Sequence, residues 1–266
     1  MVYQISATKL QSYSRCPYAY YLRYELRMNN SEFFGSAALG TALHQALAQC
    51  HRDWHYLNAV PDLKWVHHCW DQQTEGLSSS QTIEGKEILE NYYHNFIANE
   101  VSLSRPLAVE GRIQGFLQVK NLEFCITGRY DRLDFLEDGY LEVIDYKSSR
   151  EVKVPSPQDV DIQIGLYYFA LEQTYHQNLK YLSLLFLRSG EKVQFEATPE
   201  HKQQVEEVIS KLAVQLRYDR DWQATPGEQC DRCAYSRYCP AVTANPTPLP
   251  ASNVSARQLQ LTLSLN

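Results

Sequence analysis

The sequence predicts an α/β fold with an N-terminal helical part. Three observations predict it. Up to Ala98 the apolar residues recur at helical spacing; from about Leu107 they fall into short runs of period two; and those runs are then interrupted by one more helical stretch before two further strands and a last helix.

Taken in order, Thr8 to Leu26 (TKLQSYSRCPYAYYLRYEL) reads as an aromatic-rich helix that Pro17 must kink or split. A second helix covers roughly Ser36 to Trp54. HHCWDQQTEGLSSSQT reads as a polar loop, and a third helix covers Ile83–Ala98. LAVEGRIQGFLQV, LEFCITGRYDRLDF and YLEVIDYK then form a meander, turned at Lys120-Asn121 and at Glu137-Asp138-Gly139. SPQDVDIQIGLYYFALEQTY starts a helix near Ser156-Pro157, and YLSLLFLRSGEKVQFEA supplies two strands turning at Ser189-Gly190. A final helix runs from Thr198-Pro199 to about Tyr218. Beyond Pro240 the composition shifts to Ala, Thr, Pro and Ser. Residues 1–240 therefore read as one domain and 241–266 as a flexible linker and tail.

The chain has 266 residues, 44% of them hydrophobic, with no apolar run long enough to span a bilayer. Its first residues, MVYQISATKL, lack the basic and then apolar pattern of a secretory signal, so a cytoplasmic protein without membrane association is expected. Seven cysteines in that compartment point to metal or redox chemistry before disulfides. The net charge of −6 argues against a protein that coats nucleic acid non-specifically. It argues less against an enzyme whose acidic residues hold a divalent cation, because the ion inverts the local charge that a phosphate meets. Nineteen tyrosines supply half-buried packing and stacking surface.

LEVIDYKSS, residues 141–149, sets Asp145 and Lys147 on one face of an otherwise apolar strand. With a three-residue Glu137-Asp138-Gly139 loop, Leu136 pairs with Tyr140, and counting back puts Asp131 opposite Asp145 and Arg129 opposite Lys147. Two opposed carboxylates need a cation, and with Lys147 nearby they form either a cradle for a hard divalent metal or a surface ion-pair cluster. A two-residue loop would instead send the aspartates to opposite faces. His44, beside the Leu39, Leu43, Leu47 stripe, is a possible further ligand. Gln163 and Tyr167, four apart on one helix face, are placed to position a phosphate or a water. Glu110 reads as a lone carboxylate on a strand beside solvent. In CDRCAYSRYCP, Cys230, Cys233 and Cys239 require a fourth ligand, for which Cys16 in RCPYAYY is the candidate; a three-plus-one arrangement fits an iron–sulfur cluster better than zinc. Cys50, Cys69 and Cys125 read as ordinary buried thiols, and His51, His55, His67 and His68 as structural.

GTALH, GRYDRLD, IDYKSS and QIGLY, bracketed by Cys16 and CDRCAYSRYC, together resemble the RecB-type PD-(D/E)XK nucleases. The resemblance covers about residues 5–240 and is to the branch with an iron–sulfur cluster, which includes AddB-like helicase–nuclease domains and CRISPR adaptation exonucleases. It implies a restriction-endonuclease-like fold, a mixed central sheet flanked by helices, and cleavage of DNA ends with Mg2+ or Mn2+. It also implies His44, Asp131 and Asp145 as metal ligands and Lys147 as the residue that orients water or stabilises charge on the phosphate. Gln163 and Tyr167 match the family's QxxxY motif, and Cys16, Cys230, Cys233 and Cys239 match the ligands of a 4Fe-4S cluster. The acidic position before Lys147 is Asp rather than the usual Glu. The chain contains no P-loop motif, so a helicase motor would be another protein; a CRISPR integrase is the other implied partner. A DNA-binding or adaptor module and a zinc-stapled structural protein are the rival readings. In the tail, SARQLQLTLSLN aligns Leu259, Leu261, Leu263 and Leu265 on one side of an extended strand. That strand is expected either to join the sheet edge or to dock on the replication sliding clamp, whose short Gln-Leu ligands it resembles.

Overall fold

A computed structural model describes the protein over residues 2–28, 34–148, 161–175 and 179–249. The chain divides into two compact units, one made of residues 1–6 and 34–210, the other of residues 7–33 and 211–266. In the first unit the described strands are β1 (Tyr3–Ile5), β2 (Ala108–Val119), β3 (Leu122–Phe135), β4 (Leu141–Lys147), β5 (Leu179–Phe186) and β6 (Glu191–Glu196). Its helices are α3 (Phe34–Asp53), α4 (Leu63–Asp71), α5 (Ser79–Phe96), α6 (Ile162–Tyr175) and the first half of α7 (Pro199–Tyr218). The second unit holds α1 (Ala7–Arg15), α2 (Pro17–Tyr20), a π-helical turn over Tyr21–Glu25 and the end of α7.

The strands form one mixed sheet in the order β1-β3-β4-β5-β6, with β2 along the other edge of β3. Long β3 is shared: β2 pairs antiparallel along nearly all of it, while its opposite edge pairs β1 at Phe124–Ile126 and β4 at Arg132–Phe135. The parallel β4–β5 pair requires a crossover, and α6 lies on it. The expected three-residue hairpin is present: Leu136 N–H donates to Tyr140 O (2.9 Å), and Gly139, at φ 84°, takes the left-handed conformation that the loop demands.

β4 is buried at every position from Leu141 to Tyr146, which is why it reads as a near-continuous apolar run. Its Ile144 and Tyr146 pack into a core with Leu39, Leu43 and Leu47 of α3, Trp70 of α4 and Ile88 and Leu89 of α5. α4 and β1 are absent from the sequence-based expectation. The stretch read as one polar loop at residues 67–82 contains the end of α4 and the start of α5. Asp62 caps α4 by accepting from Trp65 N–H (2.9 Å), Val66, Cys69 and Trp70 form its buried stripe, and Ser78 with Gln81 closes a capping box on α5. Histidines and glutamines on the outer face masked that periodicity. α6 buries Ile164, Gly165, Leu166, Tyr167, Tyr168, Ala170 and Leu171 and is thus enclosed on most sides. Residues 149–160, where its start was expected at Ser156-Pro157, lie outside the described residues, as does SARQLQLTLSLN. None of the described helices is long and apolar enough to cross a membrane.

Pro17 splits the first expected helix into α1 and α2, as its missing N–H dictates. The second unit is knit by aromatic side chains. Trp222 stacks on Tyr20 and Tyr21 with ring centroids 5.8 and 5.5 Å apart, and Tyr13 meets Tyr20 edge-on. Hydroxyls tie N-terminal to C-terminal segments: Tyr13 donates to Asp219 Oδ2 (2.7 Å), Tyr18 to Tyr238 O (3.1 Å) and Tyr235 to Met28 O (3.0 Å). Several of the chain's many tyrosines are therefore packing residues with a satisfied polar tip.

Candidate active site

Pairing between β3 and β4 follows the expected register through Phe135–Leu141, Leu133–Val143 and Arg132–Ile144, and stops there. Asp131 and Asp145 do not face each other as ladder partners. Instead, Asp131 Oδ2 accepts the backbone N–H of Tyr146 at 2.6 Å, so a side chain replaces the strand carbonyl and the two carboxylates are spared direct opposition in a buried place. Asp131 and Asp145 are 7% and 4% exposed.

His44 reaches this point from α3, its Nδ1 lying 2.8 Å from Asp131 Oδ1. Gly40, one turn earlier, faces the residue that follows β4: a Cβ there would sit 3.1 Å from Ser148 Oγ. Ligand atoms of His44, Glu110 and Asp131 all lie within 4.8 Å of one another. Glu110 is therefore not a lone surface acid. The two-residue Lys120-Asn121 turn pairs Val119 with Leu122 and sets a register in which Val109 meets Arg132 and Gly111 meets Tyr130, leaving Glu110 beside Asp131. That turn was visible in the sequence and is the signal that finds Glu110. At Glu110 the backbone has φ 53°, a left-handed conformation inside a strand, which costs of order 1–2 kcal/mol for a residue with a Cβ. Burial pushes the His44 pKa down, but the hydrogen bond and charge of Asp131, with Asp145 and Glu110 behind it, overcome that and raise it.

Asp145 turns to a different set of partners. Its Oδ1 accepts from Gln163 Nε2 (2.5 Å) and Tyr167 OH (3.0 Å), and Lys147 Nζ is 2.6 Å from its Oδ2. Lys147 also donates to Gln163 Oε1 (2.7 Å). An ammonium can only donate and a carboxylate only accept, so the Gln163 amide has one consistent orientation, oxygen to Lys147 and nitrogen to Asp145. Tyr167 OH lies 2.8 Å from Arg129 O as well, fastening α6 to β3. Burial raises the Asp145 pKa; Lys147 opposes this and Asp131 adds to it, with a net upward shift. For Lys147, burial works downward and the Asp145 carboxylate more than compensates. Asp145 Oδ2 is buried with the Lys147 ammonium 2.6 Å away on one side, and the oxygen has a second lone pair. That leaves an acceptor for a cation, and with two further carboxylates and an imidazole nearby the donor set fits Mg2+ or Mn2+, which prefer oxygen ligands and tolerate imidazole.

In the second unit Cys16, Cys230, Cys233 and Cys239 line one cavity. Cys16 precedes α2, Gly227 N–H donates to Cys230 Sγ (3.4 Å), and burial followed by the other three thiols raises the Cys233 pKa. Cys50, Cys69 and Cys125 are buried elsewhere. His51 is held in the core beside Tyr92 and Arg132.

The family model for the PD-(D/E)XK nuclease superfamily matches residues 4–240. The chain is similar to one subunit of the ATP-dependent helicase/deoxyribonuclease of Clostridium acetobutylicum, with 26% identity over 204 residues, which are 63% of this chain and 17% of the length of that relative. The crystal structure of SSO0001 aligns with a TM-score of 0.44 at 18% identity, over 90% of this chain and 87% of that one.

Proposed function

The chain belongs to the PD-(D/E)XK nuclease superfamily, and from that premise we propose that it is a metal-dependent DNA exonuclease. The observation that carries the reading is the continuous polar chain Lys147–Asp145–Gln163–Tyr167 beside the His44–Glu110–Asp131 group. A bound Mg2+ or Mn2+ would polarise a phosphodiester and make a water nucleophilic at neutral pH. His44, Glu110, Asp131 and Asp145 are the residues that would hold it. Lys147, fixed between Asp145 and Gln163, keeps its proton and offers it to a non-bridging phosphate oxygen as negative charge grows there. Tyr167 and Gln163 keep Asp145 oriented. Such an arrangement has no purpose in a pure adaptor module, since buried like charges destabilise a protein that does not use them.

The four cysteines we assign to a 4Fe-4S cluster with a structural role. What supports a cluster over zinc is the three-plus-one arrangement, in which distant Cys16 lines the same cavity as the closely spaced Cys230, Cys233 and Cys239. Of the partners suggested by the sequence, a separate helicase is the one that similarity to part of a helicase/deoxyribonuclease favours.

End-labelled single- and double-stranded DNA, incubated with the protein and Mn2+ or Mg2+, tests the function. We expect stepwise shortening from an end, abolished by EDTA. Asp145→Asn, which preserves shape while removing the charge, should lower the rate by at least about a hundredfold. Undiminished cleavage by that variant would remove Asp145 from the site; closed circular DNA cut as fast as linear DNA would make the enzyme an endonuclease.

A further inference from the structure

We propose that Arg112 and Arg129 form a clamp for a DNA-backbone phosphate next to the one being cleaved, and that Glu110 holds Arg129 in reserve until metal binds. The inference rests on the nuclease reading. Arg112 and Arg129 are direct register partners on β2 and β3, and both are exposed. Like charges so paired, with Cβ atoms about 4.5–5.5 Å apart, destabilise a sheet unless something anionic joins them. Among the described residues Arg112 has no acidic partner. The Arg129 guanidinium makes one ion pair, Nη1 to Glu110 Oε2 at 3.1 Å, which leaves most of its five N–H donors unengaged by described groups. Its side chain is 53% exposed.

The Arg129 carbonyl has a partner within the site, whereas its side chain is more than half exposed. Tyr167 OH, 3.0 Å from Asp145 Oδ1, lies 2.8 Å from Arg129 O, so the backbone of this arginine is tied to the site. Two steps along the same ribbon lies Glu110, the strained residue whose carboxylate stands beside His44 and Asp131. One carboxylate thus serves two cations in turn. With Glu110 paired to Arg129, the guanidinium is tethered; a divalent ion competing for Glu110 frees it. Planar guanidinium groups pair with phosphate in two-point fashion, and two arginines side by side suit one phosphate better than one carboxylate. This also offers a way for a chain of net charge −6 to grip DNA: two of its 25 Lys and Arg residues stand side by side at one rung next to the acids.

The test measures binding, not turnover. Fluorescence anisotropy of a labelled oligonucleotide, in Ca2+ and over a series of salt concentrations, is compared for the full chain, Arg112→Gln and Arg129→Gln. Mn2+ affinity of the DNA-free proteins is measured in parallel by electron paramagnetic resonance. Each substitution should weaken DNA binding by roughly tenfold and reduce the slope of log affinity against log salt by about one. Arg129→Gln alone should tighten Mn2+ binding, by a few-fold, because it releases Glu110; Arg112→Gln should leave it unchanged. Variants that match the wild type in DNA affinity and salt slope would overturn the clamp while leaving the nuclease reading intact. Unchanged Mn2+ affinity in Arg129→Gln would overturn the exchange at Glu110. A wild type that binds no DNA would overturn the nuclease reading together with the clamp.

Discussion

Lys147 is half-buried and His51 fully so, and their surroundings send their proton equilibria in opposite directions. Lys147 is raised because Asp145 offsets burial, so it stays charged, and in the proposed nuclease that charge would act mainly where the phosphate gains negative charge. Lys147→Ala should therefore lower turnover by about 10²–10³-fold with little change in Mn2+ affinity; a large loss of affinity with normal saturated turnover would contradict that role. His51 is 2% exposed and accepts from Arg132 Nη1 at 2.6 Å. Burial and then the Arg132 charge hold its pKa well below the usual histidine value. In the unfolded chain it takes up a proton below about pH 6.5, whereas in the folded protein it does not. Stability must fall as pH drops through that value, by up to about 1.4 kcal/mol per pH unit from this group. His51→Gln keeps an acceptor for Arg132 and cannot titrate. Urea unfolding between pH 5 and 7.5 should show a shallower acid dependence for the variant, and an identical slope would exclude His51 as its source.

Among the elements, the packing of α5 on α4 depends on a missing side chain. Gly85 lies at the centre of α5, and a Cβ there would be 2.2 Å from the ring of Trp70, which is fully buried and donates through Nε1 to Thr82 O (3.2 Å). Helix propensity alone predicts that Gly85→Ala stabilises by about 0.8–1 kcal/mol. Overpacking against a ring that has no room to retreat costs about 1–3 kcal/mol, so the net effect should be a loss. A lower urea midpoint with an unchanged slope is the expected result. A higher midpoint would mean that α4 can shift. The β2–β3 ribbon makes the same point about elements: its two-residue turn sets the rung at which Glu110 meets Asp131, so altering the length of that turn would dismantle the candidate metal site from the far end of the strands.

For the whole molecule, the second unit brings together segments from near both ends of the sequence. Its described contacts are aromatic stacks and tyrosine hydroxyls, together with four cysteines around one cavity. A metal cluster bridging Cys16 to the C-terminal cysteines would close a loop of nearly the whole chain in the unfolded state; for a single cross-link over such a loop the chain-entropy model gives about 5.4 kcal/mol. Protein purified without oxygen should contain iron and acid-labile sulfide. Cys16→Ser should lose both and melt several degrees lower. Stoichiometric zinc without sulfide would reject the cluster, and an unchanged melting temperature after its loss would show that the Trp222 stacks suffice.

Local chemistry made much of this protein legible in its sequence. The Glu137-Asp138-Gly139 turn needs a left-handed residue, so glycine there sets the β3–β4 register, and alternation then brings Asp145 and Lys147 together. Pro17 breaks a helix because it lacks an N–H, and spacing by four puts Gln163 and Tyr167 on one face of α6. These are short-range consequences of geometry. The tertiary structure decided the meetings that no turn or spacing dictates: His44 of α3 with the Glu110–Asp131 rung that the Lys120-Asn121 turn aligns, and Cys16 with the three C-terminal cysteines around one cavity, for which spacing offered only a candidate. It also decided that Asp131 gives its carboxylate to the Tyr146 N–H instead of facing Asp145 across the ladder. The reason is that periodicity specifies which way a side chain points, whereas burial of like charges is relieved only by what the fold brings near: a backbone donor for one aspartate, a lysine and an amide for the other.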